Sequence, residues 1–143
     1  MSVKNYSDKH LFELLVSIIF REMRNGDVSI KNISKSMSLS SSQLNRRVKA
    51  ARGITISEFV MQIRIKEAKR LLAMTRRYTI GDVASMCGFY DTSHMGHVFQ
   101  KKVGTSPTHY QESVAKKPED LNKFISEQLL KAEKKMDEAR KRQ

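Results

Sequence analysis

The sequence predicts an all-α protein. It reads as two copies of a unit made of a short helix, a tight turn and a second helix. A long linker helix joins the copies, and a C-terminal amphipathic helix follows them. Three observations predict this. Apolar residues recur at three- and four-residue intervals nearly throughout, the period of a helix face. Caps and glycines punctuate that pattern where helices should start and stop. The pattern from Ile30 to Phe59 returns about fifty residues later.

The first predicted helix lies in "DKHLFELLVSIIFREMRNGD", with Leu11, Leu14, Leu15, Ile18 and Ile19 on one face. Gly26 is its C-terminal stop. Ser29 caps a short helix that turns Ile30, Ile33 and Met37 inward. After a tight turn, "SSSQLNRRVKAARG" places Leu44 and Val48 inward, and Gly53 ends it. "TISE", Thr55 to Glu58, has capping-box spacing. It opens the longest core helix, running to about Met74, with Phe59, Ile63, Ala68, Leu71 and Leu72 mostly inward.

The unit then starts again. Thr79 and Asp82 form another cap, and Ile80, Val83 and Cys87 repeat Ile30, Ile33 and Met37 at an offset of 50. Gly88-Phe89 answers Ser38-Leu39. Beyond this turn the offset is 51, pairing Leu44 with Met95, Val48 with Phe99, Gly53 with Gly104 and Phe59 with Tyr110. One residue is therefore inserted in the second turn. Asp91 caps the next helix, which Val98 and Phe99 anchor. Ser106-Pro107 reads as an N-cap with proline at the first helical position, opening a closing helix to about Ser113. "VAKK" over 114–117 is a linker. From Pro118 a last helix carries Leu121, Phe124, Ile125, Leu129, Ala132 and Met136 as a stripe, with acids in its first turn and cations in its last.

Charge narrows the partner. Lys plus Arg is 27 against 15 acids in 143 residues, a net charge of +12. Residues 1–117 hold +11 of it and residues 118–143 only +1. That excess implies an anionic partner, nucleic acid before acidic membrane or acidic protein. No apolar run approaches the roughly 18 residues of a membrane span. The start of the chain has no apolar signal core, and a single cysteine excludes an intramolecular disulfide; both fit a cytoplasmic protein. His94 and His97 with Cys87 make a poor metal site, because Cys87 occupies the buried position of Met37 and no fourth ligand follows. No paired carboxylates, glycine-rich phosphate loop or nucleophile motif points to an enzyme. No cofactor is expected. Met37, Met95, Phe89 and Phe99 read as core, and so small a domain leaves no visible effector pocket.

A helix-turn-helix unit can place its second helix in the DNA major groove, where base edges are distinguishable. Such a helix needs an apolar face that holds it and a polar face that reads. In the first unit Ser42, Gln43, Asn45 and Arg46 are the expected base readers: Arg pairs bidentately with guanine, Asn with adenine. Ser40 and Ser41 at the helix start, with Arg47 and Lys49, suit phosphates. No acid occurs from Ser29 to Ser57 to oppose Lys31, Lys35, Arg46, Arg47, Lys49 and Arg52. In the second unit Thr92, Ser93, His94 and His97 face the groove, and Lys101 and Lys102 meet phosphates. Arg64, Lys66, Lys69, Arg76 and Arg77 read as surface charges. The linker, about 20 residues and about 30 Å long, nearly matches one DNA turn of about 34 Å.

Residues 8–113 resemble the DNA-binding domain of AraC/XylS-type transcription regulators. The resemblance rests on "SSSQLNRRVKAARGITISEFV", "RIKEAKRLLA" and above all "TIGDVASMCGFYDTSHMGHVFQKKVGTSPTHYQES". In the last, Ile80, Ala84, Gly88-Phe89, Phe99, Gly104, Pro107 and Tyr110 fall where that family's signature has them. The resemblance implies a seven-helix fold with two helix-turn-helix units, binding promoter DNA and usually activating transcription. Double-stranded DNA and RNA polymerase are then the expected partners, with no membrane. The chain is also similar to C-terminal output domains of some hybrid sensor kinases, which implies an upstream sensor domain. The family commonly has Arg where His97 stands, and Lys where Gln100 stands. The first unit is therefore expected to dominate base reading and the second to position the complex. Residues 118–143 form a separate helical extension, either folded back on the core or pairing in a homodimer. The alternative function is a protein-interaction or dimerisation module of a larger signalling protein with only non-specific DNA affinity.

Overall fold

A computed structural model describes residues 5–26, 28–74, 77–114 and 118–141 of the chain. Of the expected linker over 114–117, Val114 belongs to the closing helix instead, and 115–117, like the expected surface charge Arg76, lie outside the described residues. So do the side chains at 118–122 and 124, Leu121 and Phe124 of the expected stripe among them. Eight helices and no strand occur among the described residues: α1 (Asp8–Asn25), α2 (Ile30–Ser36), α3 (Ser41–Arg52), α4 (Ile56–Leu72), α5 (Ile80–Met86), α6 (Thr92–Val103), α7 (Pro107–Val114) and α8 (Pro118–Lys141).

The duplication extends to individual hydrogen bonds. In the first turn the Met37, Ser38 and Leu39 amides donate to the carbonyls of Ile33, Lys35 and Ser34. In the second, Cys87, Gly88 and Phe89 donate to Val83, Ser85 and Ala84. Both turns need a left-handed residue directly after the short helix. Gly88 supplies it at φ 73°, whereas Ser38 adopts φ 55° despite its side chain. Gly88 has a second reason to be glycine, since a Cβ there would lie 2.5 Å from Val28 Cγ2.

The caps expected from sequence, Ser29, Thr55, Thr79, Asp91 and Ser106, all form, and Ser7 and Ser40 add two unexpected ones. Ser7, Ser29, Ser40, Thr55, Thr79 and Asp91 each accept from a first-turn amide of the helix that follows. Ser106 Oγ accepts from His109 N–H at the start of α7. Reciprocal capping boxes form at Ser40–Gln43 and Thr79–Asp82. Thr55–Glu58 is only half of the expected box: the Glu58 carboxylate turns away to Lys102 Nζ at 2.9 Å. The linker helix also stops earlier than expected, at Leu72, so its 17 residues rise about 25 Å rather than about 30 Å.

One continuous core unites the two units. Leu11, Leu15, Ile19 and Met23 of α1 join Ile33, Met37, Leu44 and Val48 of the first unit and Val83, Cys87, Met95 and Phe99 of the second. The equivalent Phe59 and Tyr110 each make an edge-on ring pair, Phe59 with Phe12 of α1 at 5.2 Å and Tyr110 with Phe99 at 5.4 Å. Among the surface charges expected on α4, Arg64 is a correction. It is 7% exposed and spans from α4 to the second turn. Nε donates to the Cys87 carbonyl at 2.9 Å and Nη2 to the Gly88 carbonyl at 2.6 Å, while the guanidinium lies 4.3 Å from the Phe89 ring centroid. Burial pulls its pKa down, partly opposed by Cys87.

An open groove of about 990 Å³ between α1, α4 and α5 is lined by Phe20, Arg24, Ile63, Lys66, Arg70 and Met86 among others. Among the described residues no helix is long and apolar enough to cross a membrane. From Ile125 to Lys141, every side chain of α8 is exposed. From Ile125 onward the stripe therefore does not fold back onto the core.

Candidate nucleic-acid interface

α3 and α6 are each held by two side chains that are completely buried: Leu44 and Val48 in one, Met95 and Phe99 in the other. This anchoring presents the opposite faces outward. On α3, Ser42, Arg46 and Lys49 are exposed at positions i, i+4 and i+7, so they form one stripe. At the 51-residue offset, Ser93, His97 and Gln100 form the matching exposed stripe on α6. The charge difference between the stripes is plain: two cations on α3, two neutral polar groups and one histidine on α6. Thr92 and Lys101 are exposed beside the second stripe.

Several expected contact residues are already occupied within the fold. Asn45 is the clearest. Its Oδ1 accepts the Ile56 N–H at 2.9 Å, which ties α3 to the first turn of α4 and removes the acceptor that bidentate adenine pairing requires. Gln43 is likewise turned back, its Oε1 accepting the Ser40 N–H at 2.9 Å. Ser40 Oγ caps α3 through Gln43 N–H, and Ser41 Oγ lies 3.3 Å from Ser34 Oγ. Arg47 Nη2 donates to the Tyr6 carbonyl at 2.9 Å and meets Asp8 at 3.3 Å, stitching α3 to the start of α1. Lys102 is paired with Glu58. These side chains build the frame that aims the stripes.

His94 is intermediate between the two classes. Its Nδ1 accepts the Tyr90 N–H at 3.3 Å and its ring stands edge-on to Phe89 at 5.5 Å, while the residue remains exposed. The same turn displays a residue absent from the sequence-based set. Tyr90 is 92% exposed, directly before the Asp91 cap of α6. It is the residue inserted in the second turn, where the repeat offset changes from 50 to 51, and that slip in register is the signal that locates it.

Cys87 is fully buried, and burial pushes its thiol up to about 12, with Glu67 adding to the shift and Arg64 and Arg70 opposing it. Among the described residues no three His, Cys, Asp or Glu side chains come together as a metal site.

Comparison with known proteins agrees with this geometry. A family described as "Helix-turn-helix domain" matches residues 33–113, from within α2 to the end of α7. "HTH-type transcriptional activator RhaR" of Klebsiella pneumoniae is 36% identical over 69 residues, 48% of this chain and 24% of the activator. "Histidine kinase P4" of Formosa agariphila is 29% identical over 104 residues, 73% of this chain but 8% of the kinase. The chain thus spans a minor part of the length of these curated relatives. Among solved structures, the C-terminal domain of the two-component response regulator yesN from Fusobacterium nucleatum superposes with a TM-score of 0.64. It is 26% identical and covers 71% of this chain and 98% of that one. Two equivalent anchored helices, two equivalent turns and a match running through both units make one conclusion unavoidable: the chain belongs to the AraC-type helix-turn-helix family.

Proposed function

We propose that this chain binds double-stranded DNA sequence-specifically, with α3 and α6 in successive major grooves, and thereby regulates transcription. The observation that supports the reading most directly is the exposed α3 stripe. Ser42, Arg46 and Lys49 stand on a helix whose other face is fully buried, in a segment without a single acid. Arg46 is the principal base reader and Lys49 a phosphate contact. On α6, Ser93, His97 and the exposed ring of His94 supply weaker contacts that fix register, with Thr92 and Lys101 at the backbone. Tyr90 joins this face.

RNA polymerase is the partner that an activator of this kind would contact, as the activator name of the RhaR relative suggests. A signal-sensing segment upstream is the further partner suggested by the kinase and response-regulator relatives. The net charge of +12 supplies a sequence-independent, salt-sensitive part of the affinity.

Selection from randomised duplex DNA, sequenced and repeated at two salt concentrations, tests the proposal. Two short conserved blocks about ten base pairs apart, one helical turn, are the expected result. Enrichment without a motif, lost steeply with salt, would leave phosphate contacts alone and sink the specific reading.

A further inference from the structure

α8 is a helix of 24 residues, about 36 Å long, whose side chains from Ile125 to Lys141 are all in solvent. Its apolar residues are far from hidden: Ile125 is 46% exposed, Leu129 60% and Met136 57%. Ile125, Leu129, Ala132, Met136 and Ala139 follow one another at spacings of four, three, four and three. That averages 3.5 residues, the seam of a two-stranded coiled coil. A helix packed against nothing is marginal in water, because its stability comes mostly from an apolar face that is covered.

Charge identifies what covers it. Residues 118–143 carry a net charge of only +1, against +11 for the rest, so this helix is not built to hold an anion. Its charge is instead biased by end: residues 118–130 hold three acids against one lysine, and residues 131–143 six cations against three acids. The sequence opens with Glu119 and Asp120 and closes with Arg140 and Lys141. A parallel pair of such helices would set acids against acids and cations against cations. An antiparallel pair sets each acidic start against a basic end. The same arrangement registers the apolar seam, with Ile125 opposite the partner's Met136 and Leu129 opposite the partner's Ala132. We propose that α8 pairs antiparallel with α8 of a second copy of this chain, making the protein a dimer through its C-terminal helix. Two copies joined in this way bring four reading helices to one DNA, which lengthens the site and raises affinity by linkage.

The test is the mass of the full chain in solution without DNA, by sedimentation over a wide concentration range. A rise from one chain to two is expected, and a monomer at every concentration overturns the proposal. Leu129→Glu with Met136→Glu should keep the chain monomeric while leaving the thermal midpoint of the core unchanged. Persistence of the dimer in that variant would place the interface elsewhere and overturn it. Orientation is read by mixing Ile125→Cys chains with Met136→Cys chains under oxidation; the native Cys87 is buried and does not interfere. Mixed disulfides are expected, and disulfides only between like chains would overturn the antiparallel pairing. Because no DNA is present, these outcomes are independent of whether the DNA-binding reading stands.

Discussion

Arg64 Nη2 donates to the Gly88 carbonyl at 2.6 Å, so a cation on the linker helix holds the turn of the second unit. With the bond to Cys87 and the Phe89 ring above it, the guanidinium fixes the start of the segment that leads into α6. Replacing it by Ala strands one buried and one half-buried carbonyl. Arg64→Ala is expected to cost about 2–4 kcal/mol of unfolding free energy in denaturant titration. Arg64→Lys should recover only part, since one ammonium cannot reproduce the planar fork. A loss under about half a kilocalorie would mean that water replaces the clamp.

Two glycines should respond with opposite signs. Gly88→Ala meets both a left-handed backbone and Val28, and about 1–3 kcal/mol of destabilisation is expected. Gly96 sits within α6 with nothing within 4 Å of an added Cβ, so Gly96→Ala should stabilise by about 0.5–1 kcal/mol. Thermal melts of both variants check the pair.

Asn45 and Arg46 are neighbours with different work. Asn45→Ala removes the cap on Ile56 N–H and should lower stability by about 0.5–2 kcal/mol. Its base preference should be nearly unchanged. Arg46→Ala should leave stability within experimental scatter but lose about 1–3 kcal/mol of discrimination at one base pair. His97→Ala should lose less. Competition binding with single-base operator variants separates them, and a larger loss from His97→Ala would reverse the assigned dominance of the first unit.

The thiol of Cys87 predicts an alkaline limb. Its folded pKa is raised from an ordinary 9.0 to about 12. Below pH 9 the thiol is protonated in both states and the protein keeps this contribution in full. Between 9 and 12 the unfolded chain releases its proton while the folded one retains it, so stability falls as pH rises through that window. Cys87→Ala should flatten this limb at the cost of a small cavity. Alkylation of native protein at pH 8 should proceed only at the rate of unfolding.

The sequence by itself determined the helices, their caps and the doubled unit, because these depend on contacts within a few residues. Leu44 and Val48 four apart, Thr79 before Asp82, Gly88 after Cys87 and Pro107 after Ser106 each announce a local geometry that three- and four-residue periodicity enforces. The change of offset after Phe89 even marked the extra residue, Tyr90, although its 92% exposure was not legible. What only the tertiary structure decided was the use of the long polar side chains. Arg64, Asn45, Arg47 and Lys102 read as exposed or DNA-facing from helical position alone. Their partners, Cys87 and Gly88, Ile56, Tyr6 and Asp8, and Glu58, lie 11 to 44 residues away. A flexible side chain of that length is claimed by whatever carbonyl, amide or carboxylate the packed helices bring within reach, and local sequence does not encode that encounter.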